Sequence, residues 1–392
     1  MSVSKKYERM KISTGENRLR LGLLFNFQPS WMGGITYIIN IVKTLNYLND
    51  EDKPEIYLLV SKDLEKYLSE ISYPYLHVVK WNHTSVAKGF LKSWLKGKNI
   101  FIDDIIDAYR LDAIYPVRDC PVKSTTKAKV IAWYADLQHK FYPEFFTQTT
   151  ILHRNIRLKF MLRNTDMMVV SSQAVRDDFQ TLFKRMEKVN FQVYHFVSIM
   201  DGLEALDFQS LKEKYQLPEK YFMVANQFHR HKNHKAVLLA LVNLKAKGII
   251  QHIAFTGRFP SASNSAYMAE LHHIIDDNHL HDQISMLGMI PRNEQISLMS
   301  RSQAVIQPSL FEGWSTVIED AKSLQVPVIA SNIKVNKEQL GEAGDFFEPH
   351  NSNELADILK NYPDRNWDAK FYDDHNIRIK DAAQILLDIF KK

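Results

Sequence analysis

The chain has 392 residues, 45% of them hydrophobic and 24% charged, which predicts an ordinary globular protein of two or three domains. No run of about 18 apolar residues occurs, which argues against a membrane-spanning helix, and the polar N-terminus lacks the apolar stretch of a secretory signal. The single cysteine, Cys120, excludes an intramolecular disulfide and a cysteine zinc site, so we expect a cytoplasmic protein.

The net charge of +5 is unevenly distributed along the chain. Residues 1–190 hold 29 Lys and Arg against 20 Asp and Glu, a net +9, and the remainder holds 21 against 25, a net −4. A basic first half predicts an anionic partner, such as acidic lipid or a phosphorylated acceptor, with a solvated lysine-rich surface as the alternative. We find no zinc-finger spacing, RNP motif or basic repeat, which argues against nucleic acid.

In the first half of the chain, short apolar runs alternate with longer amphipathic segments. The predicted strands are Leu19–Phe25, Ile56–Val60, Leu76–Val79, Ala113–Val117, Val130–Tyr134 and Met167–Ser171. The predicted helices are Ile35–Tyr47, Leu64–Ile71 and Ile151–Arg163. Because several strands are apolar on both faces and helices separate them, the pattern predicts parallel βα units in an N-terminal domain of residues 1–196.

The same alternation starts again in the second half. The predicted strands are Tyr221–Asn226, Ile253–Thr256, Ile284–Leu287, Ala304–Gln307 and Val326–Ala330, and the predicted helices are His234–Lys247, Ala266–Asp277, Arg292–Ser300 and Val317–Leu324. These form a second domain, residues 197–372, and residues 373–392 are expected to form a helix that packs back on the first domain. The fold class is therefore α/β, with two doubly wound domains and a ligand cleft between them. Neither GxGxxG nor GxxxxGK[ST] occurs, which disfavours a dehydrogenase or an NTPase.

Two segments of the first domain are candidates for ligand contact. Trp31–Ile35 contains Gly33 and Gly34 between the first strand and the first helix, where the backbone can approach an anion closely; a tight turn is the alternative. Trp133–Lys140 runs off a strand end with Asp136, Gln138 and His139, whose side chains can bond sugar hydroxyls. We also expect His139 to titrate near neutral pH, and a solvated loop is the alternative for this segment.

Two loops of the second domain complete the set. Asn226–His234 carries Arg230, Lys232 and three histidines, which fits a diphosphate clamp better than a metal site, because no carboxylate or cysteine is close by in the sequence. Gln307–Thr316 joins a strand to a helix with Ser315 or Thr316 as N-cap, so that Trp314 to Val317 offer backbone N–H groups to phosphate. Glu312 precedes this helix, and Glu319 and Asp320 lie one turn inside it.

These four segments, in this order, resemble the retaining GT-B glycosyltransferases of glycosyltransferase family 4 over roughly residues 19–345. The resemblance implies two Rossmann-like domains around a cleft and a nucleotide-sugar donor, with no cofactor and no metal. It assigns catalytic roles to His139, near the transferred sugar, and to Glu312, on the hydroxyls of that sugar. It further implies donor contacts from Gly33, Gly34, Gln227, Arg230, Lys232, Gly257, Trp314, Ser315, Thr316 and Asp320.

The sequence departs from the family pattern at two positions. The E-x7-E signature reads E-x7-D, so the resemblance assigns the ribose hydroxyls to Asp320 and turns Glu319 away from the donor. Many relatives carry an Arg five residues before the Lys, where this chain has Gln227, and Arg230 is expected to supply that charge. The resemblance further implies front-face attack with retention of configuration, the departing phosphate accepting the acceptor's proton.

One further segment of the first domain bears on where the acceptor is found. Between Trp81 and Phe101, Lys88, Lys92 and Lys96 recur at four-residue spacing beside Leu91, Trp94 and Leu95. This pattern is typical of a basic helix on an anionic membrane, with an apolar stripe packed on the sheet as the alternative.

The leading interpretation is a hexosyltransferase for surface polysaccharide or lipopolysaccharide, acting on a glycan or lipid-linked acceptor. It is expected to be cytoplasmic and peripheral on the inner face of the membrane. The competing interpretations are a nucleotide-sugar epimerase of the same fold and a catalytically silent nucleotide-sugar-binding subunit.

Overall fold

A computed structural model describes residues 18–29, 31–81, 84–183, 189–202, 206–259 and 265–391. Within these residues the chain forms two parallel sheets. The first sheet consists of β1 Arg20–Phe25, β2 Glu55–Val60, β3 Leu76–Lys80, β4 Ala113–Val117, β5 Lys129–Tyr134, β6 Met167–Val170 and β7 Phe191–Val193. The second consists of β8 Phe222–Ala225, β9 Ile253–Thr256, β10 Ile284–Gly288, β11 Val305–Gln307, β12 Val328–Ser331 and β13 Gly344–Phe347.

Helices cover both sheets. In the first domain they are α1 Met32–Leu45, α2 Val86–Lys96, α3 Asp103–Tyr109, α4 Gln138–Phe141, α5 Gln148–Asn164 and α6 Gln173–Leu182. In the second they are α7 Phe208–Lys214, α8 His234–Lys245, α9 Ser265–Asp277, α10 Arg292–Arg301, α11 Thr316–Ser323, α12 Lys334–Leu340, α13 Ser352–Lys360 and α14 His375–Lys391. No helix of the described segments combines the length and the apolarity that crossing a bilayer requires.

Both sheets have doubly wound order. The strand orders are β3-β2-β1-β4-β5-β6-β7 and β10-β9-β8-β11-β12-β13, and every strand pair is parallel. In such a sheet successive strands are added first on one side of the first strand and then on the other, which opens a crevice beyond the carboxyl ends of the two central strands. The crevices lie between β1 and β4 and between β8 and β11.

The interiors of the strands are apolar because both faces are covered. β4, β6, β8, β9, β11 and β12 are buried along their whole length. The last helix, α14, contributes Ile379, Leu386 and Phe390 to the core that includes β1 and α1 of the first domain. The end of the chain therefore returns to the N-terminal domain.

Several local features differ from the sequence prediction. The first helix begins at Met32 instead of Ile35, so Gly33 and Gly34 lie in its first turn. Residues Lys62–Glu70 form a 3-10 helix instead of the predicted α-helix, and only Leu64 of this segment is fully buried. The strands β7 and β13 were not predicted because they lie at sheet edges, are partly exposed, and lack a continuous apolar run.

Candidate functional site

The crevice of the second domain brings Lys232 and Glu312 together. Lys232 follows β8 and Glu312 follows β11, the two central strands. The Lys232 ammonium donates to Glu312 Oε1 at 2.5 Å, and Gln307 Nε2 donates to the same oxygen at 2.9 Å. Both members of the ion pair are mostly buried. The two loops predicted from sequence therefore form one charged centre at the topological switch point.

Backbone contacts hold these two loops against each other. Asn233 adopts a left-handed conformation with φ of 55°, and its side-chain amide donates to the carbonyl oxygens of Pro308 at 3.1 Å and Pro349 at 2.8 Å. The Leu310 N–H donates to the His231 carbonyl at 2.8 Å. Lys232 is thus fixed by its neighbours in both directions of the chain, which restricts where its ammonium can lie.

The start of α11 is capped by Ser315. Its hydroxyl accepts from the Ile318 N–H at 3.3 Å, which settles the N-cap between the two candidates. However, the Ser315 N–H donates to Gln339 Oε1 at 3.1 Å. The Gln339 side chain therefore occupies this N–H, and a contact of the Ser315 N–H with phosphate stays a prediction that requires this hydrogen bond to open. The neighbouring Trp314 and Thr316 remain predicted donors.

The same loop docks on the first domain. The Trp314 indole donates to the Phe196 carbonyl at 3.1 Å and stacks on His195 with a centroid distance of 4.2 Å. A Cβ on Gly313 would lie 2.1 Å from the Ala135 carbonyl oxygen. Only a residue without a side chain permits this approach, so Gly313 sets how closely the two domains meet.

The segment after β5 faces this contact from the other side of the cleft. Asp136 Oδ1 accepts from the Gln138 N–H at 2.9 Å. Burial raises the pKa of Asp136, and the charges of Arg154, Glu312 and Lys232 all act on it. The predicted hydroxyl-binding segment of the first domain and the charged centre of the second therefore share one electrostatic environment.

His139 lies on the short helix α4 and is buried, with 1% of its surface exposed. Its Nε2 is 3.1 Å from Asn155 Oδ1. The expectation that His139 titrates near neutral pH is wrong, because burial lowers its pKa to about 4. His139 is therefore a neutral imidazole at physiological pH, and its Nδ1 has no hydrogen-bond partner within the described chain.

The second acid of the E-x7-D signature is held by an arginine. Asp320 accepts from Arg292 at 2.6 Å through Oδ2 and 2.5 Å through Oδ1, and Ser198 Oγ also donates to Oδ1 at 2.5 Å. Its side chain is 3% exposed. A contact between Asp320 and ribose hydroxyls stays a prediction that requires this arginine pair to open.

Glu319, the neighbouring acid, is buried against other elements. Its carboxylate accepts from Gln339 Nε2 at 2.9 Å and from Arg378 of the last helix. The two adjacent acids of α11 therefore have separate partners, since successive residues of a helix point about 100° apart.

The remaining basic candidates do not join the Lys232–Glu312 pair. Arg230 pairs with Glu270 at 3.2 Å and lies over the Tyr267 ring, so in this structure it does not contact the pair, and its role as the missing charge stays a prediction. The reason is the 3-10 turn Arg230–Lys232, in which residues two positions apart point to different sides. Gln227 Oε1 is 3.0 Å from His229 Nε2.

The glycines occupy two different places. Gly34 is buried beneath Trp31, and a Cβ there would lie 2.7 Å from the indole ring, whereas Gly33 is exposed. In this structure the Trp31 ring therefore covers Gly34. Gly257, with φ of 141°, packs against the Asn226 carbonyl at the end of β8.

Sequence reasoning missed Arg292, Gln339 and the role of Gly313. Arg292 carried a weak signal, since it opens a predicted helix directly after a strand; Gln339 carried none. Groups of three or more His, Cys, Asp or Glu side chains that could hold a metal ion do not occur in the part of the chain that the structure describes.

Comparison with known proteins identifies the second domain. Residues 207–367 match the family model described as Glycosyl transferases group 1. This domain is a group 1 glycosyl transferase domain. The Lys232–Glu312 pair, the capped helix α11 and the Asp320–Arg292 pair all lie within the matched residues.

Two curated proteins are similar to this chain in sequence. The chain is 25% identical over 233 residues to the O-antigen chain mannosyltransferase RfbU of Salmonella typhimurium, which covers 58% of each chain. It is 32% identical over 85 residues to O-antigen chain mannosyltransferase B of Escherichia coli, which covers 21% of this chain and 22% of the relative. The chain thus covers less than two thirds of either relative.

Solved structures resemble the whole chain. Sucrose-phosphate synthase from Thermosynechococcus elongatus matches with a TM-score of 0.68 at 14% identity, over 95% of this chain and 98% of the other. Anabaena HepE, solved in complex with UDP and glucose, matches with a TM-score of 0.65 at 18% identity, over 95% and 99%. The predicted GT-B fold, with two Rossmann-like domains, is therefore confirmed.

Proposed function

We propose that the protein is a metal-independent, retaining glycosyltransferase that moves a hexose from a nucleotide-sugar donor to a glycan or lipid-linked acceptor in surface polysaccharide synthesis. The observation that carries the proposal is the Lys232–Glu312 pair at the switch point of a group 1 glycosyl transferase domain. The names of the relatives, both O-antigen chain mannosyltransferases, support the acceptor class.

The charged centre suits a donor whose leaving group is a nucleoside diphosphate. In the proposal, Lys232 exchanges its partner, because a diphosphate oxygen replaces Glu312 on the ammonium. Glu312 is then free to accept hydrogen bonds from hydroxyls of the transferred sugar. The N–H groups at the start of α11 point in the direction that favours negative charge.

Charge stabilisation by Lys232 and α11 takes the place of a metal in this mechanism. The departing diphosphate accepts the acceptor's proton as the acceptor oxygen attacks from the same face, which retains the anomeric configuration. Contact between Gly313 and Ala135 brings the two domains together over the reacting atoms, which excludes water and limits hydrolysis of the donor.

Release of nucleoside diphosphate tests the proposed function. Thermal-shift measurements with UDP, GDP and dTDP identify the base, because ligand stabilisation grows with RT ln(1 + [L]/Kd). We then expect slow hydrolysis of the matching nucleotide sugar and faster release when an acceptor extract is added. Stabilisation without release contradicts transfer and favours a silent binding subunit. An isomerised nucleotide sugar with no release favours an epimerase.

We further propose that α2 binds an anionic membrane surface. Phe90 packs its ring inward against Phe101, and Trp94 lies against Phe90 and donates to the Pro121 carbonyl at 3.2 Å. Even so, the apolar residues at the next positions remain largely exposed. Leu91 is 57% exposed, Trp94 51% and Leu95 78%. Exposed apolar side chains beside Lys88, Lys92 and Lys96 are the composition that lies at an acidic bilayer interface. This exposure favours the membrane interpretation over a stripe packed on the sheet.

Vesicle binding tests the membrane contact. We expect the double variant Lys88→Glu, Lys92→Glu to lose sedimentation with phosphatidylglycerol vesicles, since each basic residue near such a surface contributes about 1 kcal/mol. The matched control is Lys370→Glu, Lys380→Glu, which makes the same charge change at exposed positions of the second half of the chain. Equal sedimentation of the α2 variant and the wild type would show that α2 does not bind the membrane.

A further inference from the structure

The first domain has a crevice of its own, beside the first turn of α1, which carries Gly33 and Gly34. β1 and β4 are its central strands. Phe27 follows β1 and Arg118 follows β4 directly, so both lie beyond the carboxyl ends of the strands. Ligands of doubly wound sheets bind at this position. The residues that gather there therefore indicate what the first domain binds.

Arg118 is a half-buried cation in this crevice. Its guanidinium carbon lies 5.6 Å from the centroid of the Phe27 ring and 5.7 Å from that of Trp31. Burial and the charge of Arg157 lower the pKa of Arg118 to about 10, although Asp119 acts in the opposite direction. Among the described residues, neither a hydrogen bond nor an ion pair reaches its guanidinium. A desolvated arginine in this state favours an anionic ligand.

The acid next to Arg118 in the sequence is already paired with another arginine. Arg157 holds the Asp119 carboxylate at 2.8 Å, which commits the closest acid. Arg154, one turn earlier on α5, lies 4.5 Å over the Phe146 ring and has no carboxylate partner within the described segments. Its charge acts on Arg118 and on His139. Neither arginine is ion-paired with an acid within the described segments, although the charge of Arg154 also acts on the buried Asp136.

An aromatic surface adjoins these arginines. Trp31 is 37% exposed and stacks on Trp133 with a centroid distance of 5.7 Å and an angle of 10° between rings. An exposed, rigidly backed indole is a suitable surface for the apolar face of a sugar ring. The crevice thus combines a place for a sugar with a place for a negative charge.

We propose that Arg118 and Arg154 bind an anionic group of the acceptor, a phosphate or a carboxylate, while Trp31 packs against the adjoining sugar. The inference rests on the proposed transferase function and specifies its acceptor class. Lys232 and α11 bind the donor diphosphate from the second domain, so the two anionic groups occupy opposite sides of the cleft.

Calorimetric titration of the full chain tests the inference. The nucleoside diphosphate found by thermal shift is held at saturation, so that the Lys232 side of the cleft is occupied. Glucose 1-phosphate, methyl glucuronide and methyl glucoside are then titrated into wild type, Arg118→Gln and Arg154→Gln. Arg163→Gln is the matched control, because Arg163 lies on the same helix and is exposed.

We expect an anionic probe to bind more tightly than methyl glucoside. Each of the Arg118 and Arg154 variants should weaken that binding about 10- to 100-fold, as charged hydrogen bonds do, and the control should not. A preference for glucose 1-phosphate assigns the site to a phosphate, as in a lipid-linked acceptor, and a preference for methyl glucuronide assigns it to an acidic sugar. Arg118→Lys keeps the charge and should restore part of the affinity if Arg118→Gln does not fold.

The proposal is overturned if no anionic probe binds more tightly than methyl glucoside, or if both arginine variants bind the probes as wild type does. Failure of the transferase function would appear separately, as absence of nucleoside diphosphate binding in the thermal-shift screen. In that case titration without nucleotide still reports on the two arginines.

Discussion

Replacing Glu312 with alanine is expected to lower the rate of sugar transfer by about 10²- to 10³-fold, the effect of removing one preorganised polar group at a reacting centre. The variant removes the acceptor of the sugar hydroxyls but keeps Lys232. Because Lys232 then loses its carboxylate partner at 2.5 Å, we expect nucleoside diphosphate to bind as tightly as in wild type or more tightly. Initial rates with the matching donor and calorimetry with the nucleoside diphosphate measure the two effects.

The matched control for this variant is Glu342→Ala, since Glu342 is exposed and lies in the same domain. Its rate should equal that of wild type. Glu312→Ala should still fold, because the loops remain held by Asn233 and by the Leu310–His231 hydrogen bond, but its melting temperature should fall, because the mostly buried Lys232 loses its ion-pair partner. Wild-type turnover in Glu312→Ala would refute the role of this carboxylate.

Replacing Gly313 with alanine is expected to reduce transfer at least about 100-fold without loss of nucleoside diphosphate binding. The added Cβ would lie 2.1 Å from the Ala135 carbonyl oxygen and 3.2 Å from the Asp136 Cβ. Backbone cannot yield as a flexible side chain does, so the loop or the whole domain must move. A displacement of about 1 Å at a reacting centre is enough for a loss of this size. Small-angle scattering should show a larger radius of gyration.

Gly344→Ala is the matched control for Gly313→Ala. Its Cβ would contact the side chains of Phe346 and Leu340, on an edge strand of the second domain. We expect it to lower the melting temperature while leaving the domain contact and the scattering curve unchanged. If Gly313→Ala retained wild-type transfer, close contact of the domains at Ala135 would not be required for the reaction.

Much of the fold was predictable because local patterns determine it. The strands Ala113–Val117 and Ile253–Thr256 were predicted with the bounds that the structure shows, since buried parallel strands are apolar on both faces. The start of α11 was predictable because an N-cap serine satisfies an N–H only three residues away. The edge strand Gly344–Phe347 was not, because its pairing with β12 rather than its own composition makes it a strand.

The candidate site, too, was predictable from the sequence only in part. The loops that hold Lys232 and Glu312 were identified from sequence, but their direct contact joins residues 80 positions apart. The neutral state of His139 depends on burial by several elements, which no single segment reveals. Arg230 was assigned a role by proximity in sequence, yet the geometry of its turn directs it to Glu270.

The sequence by itself determined the alternation of strands and helices, the α/β class of the two domains and the loops that carry the chemistry. It could do so because the periodicity of hydrophobic residues and the capping of helices depend on residues that are close together in the sequence. Only the tertiary structure decided which charges neutralise one another. It committed Asp320 to Arg292 and Asp119 to Arg157, and it left Arg118 and Arg154 without acid partners among the described residues. Charges act through space, so their pairing depends on which strands and helices pack together, however far apart these lie in the sequence.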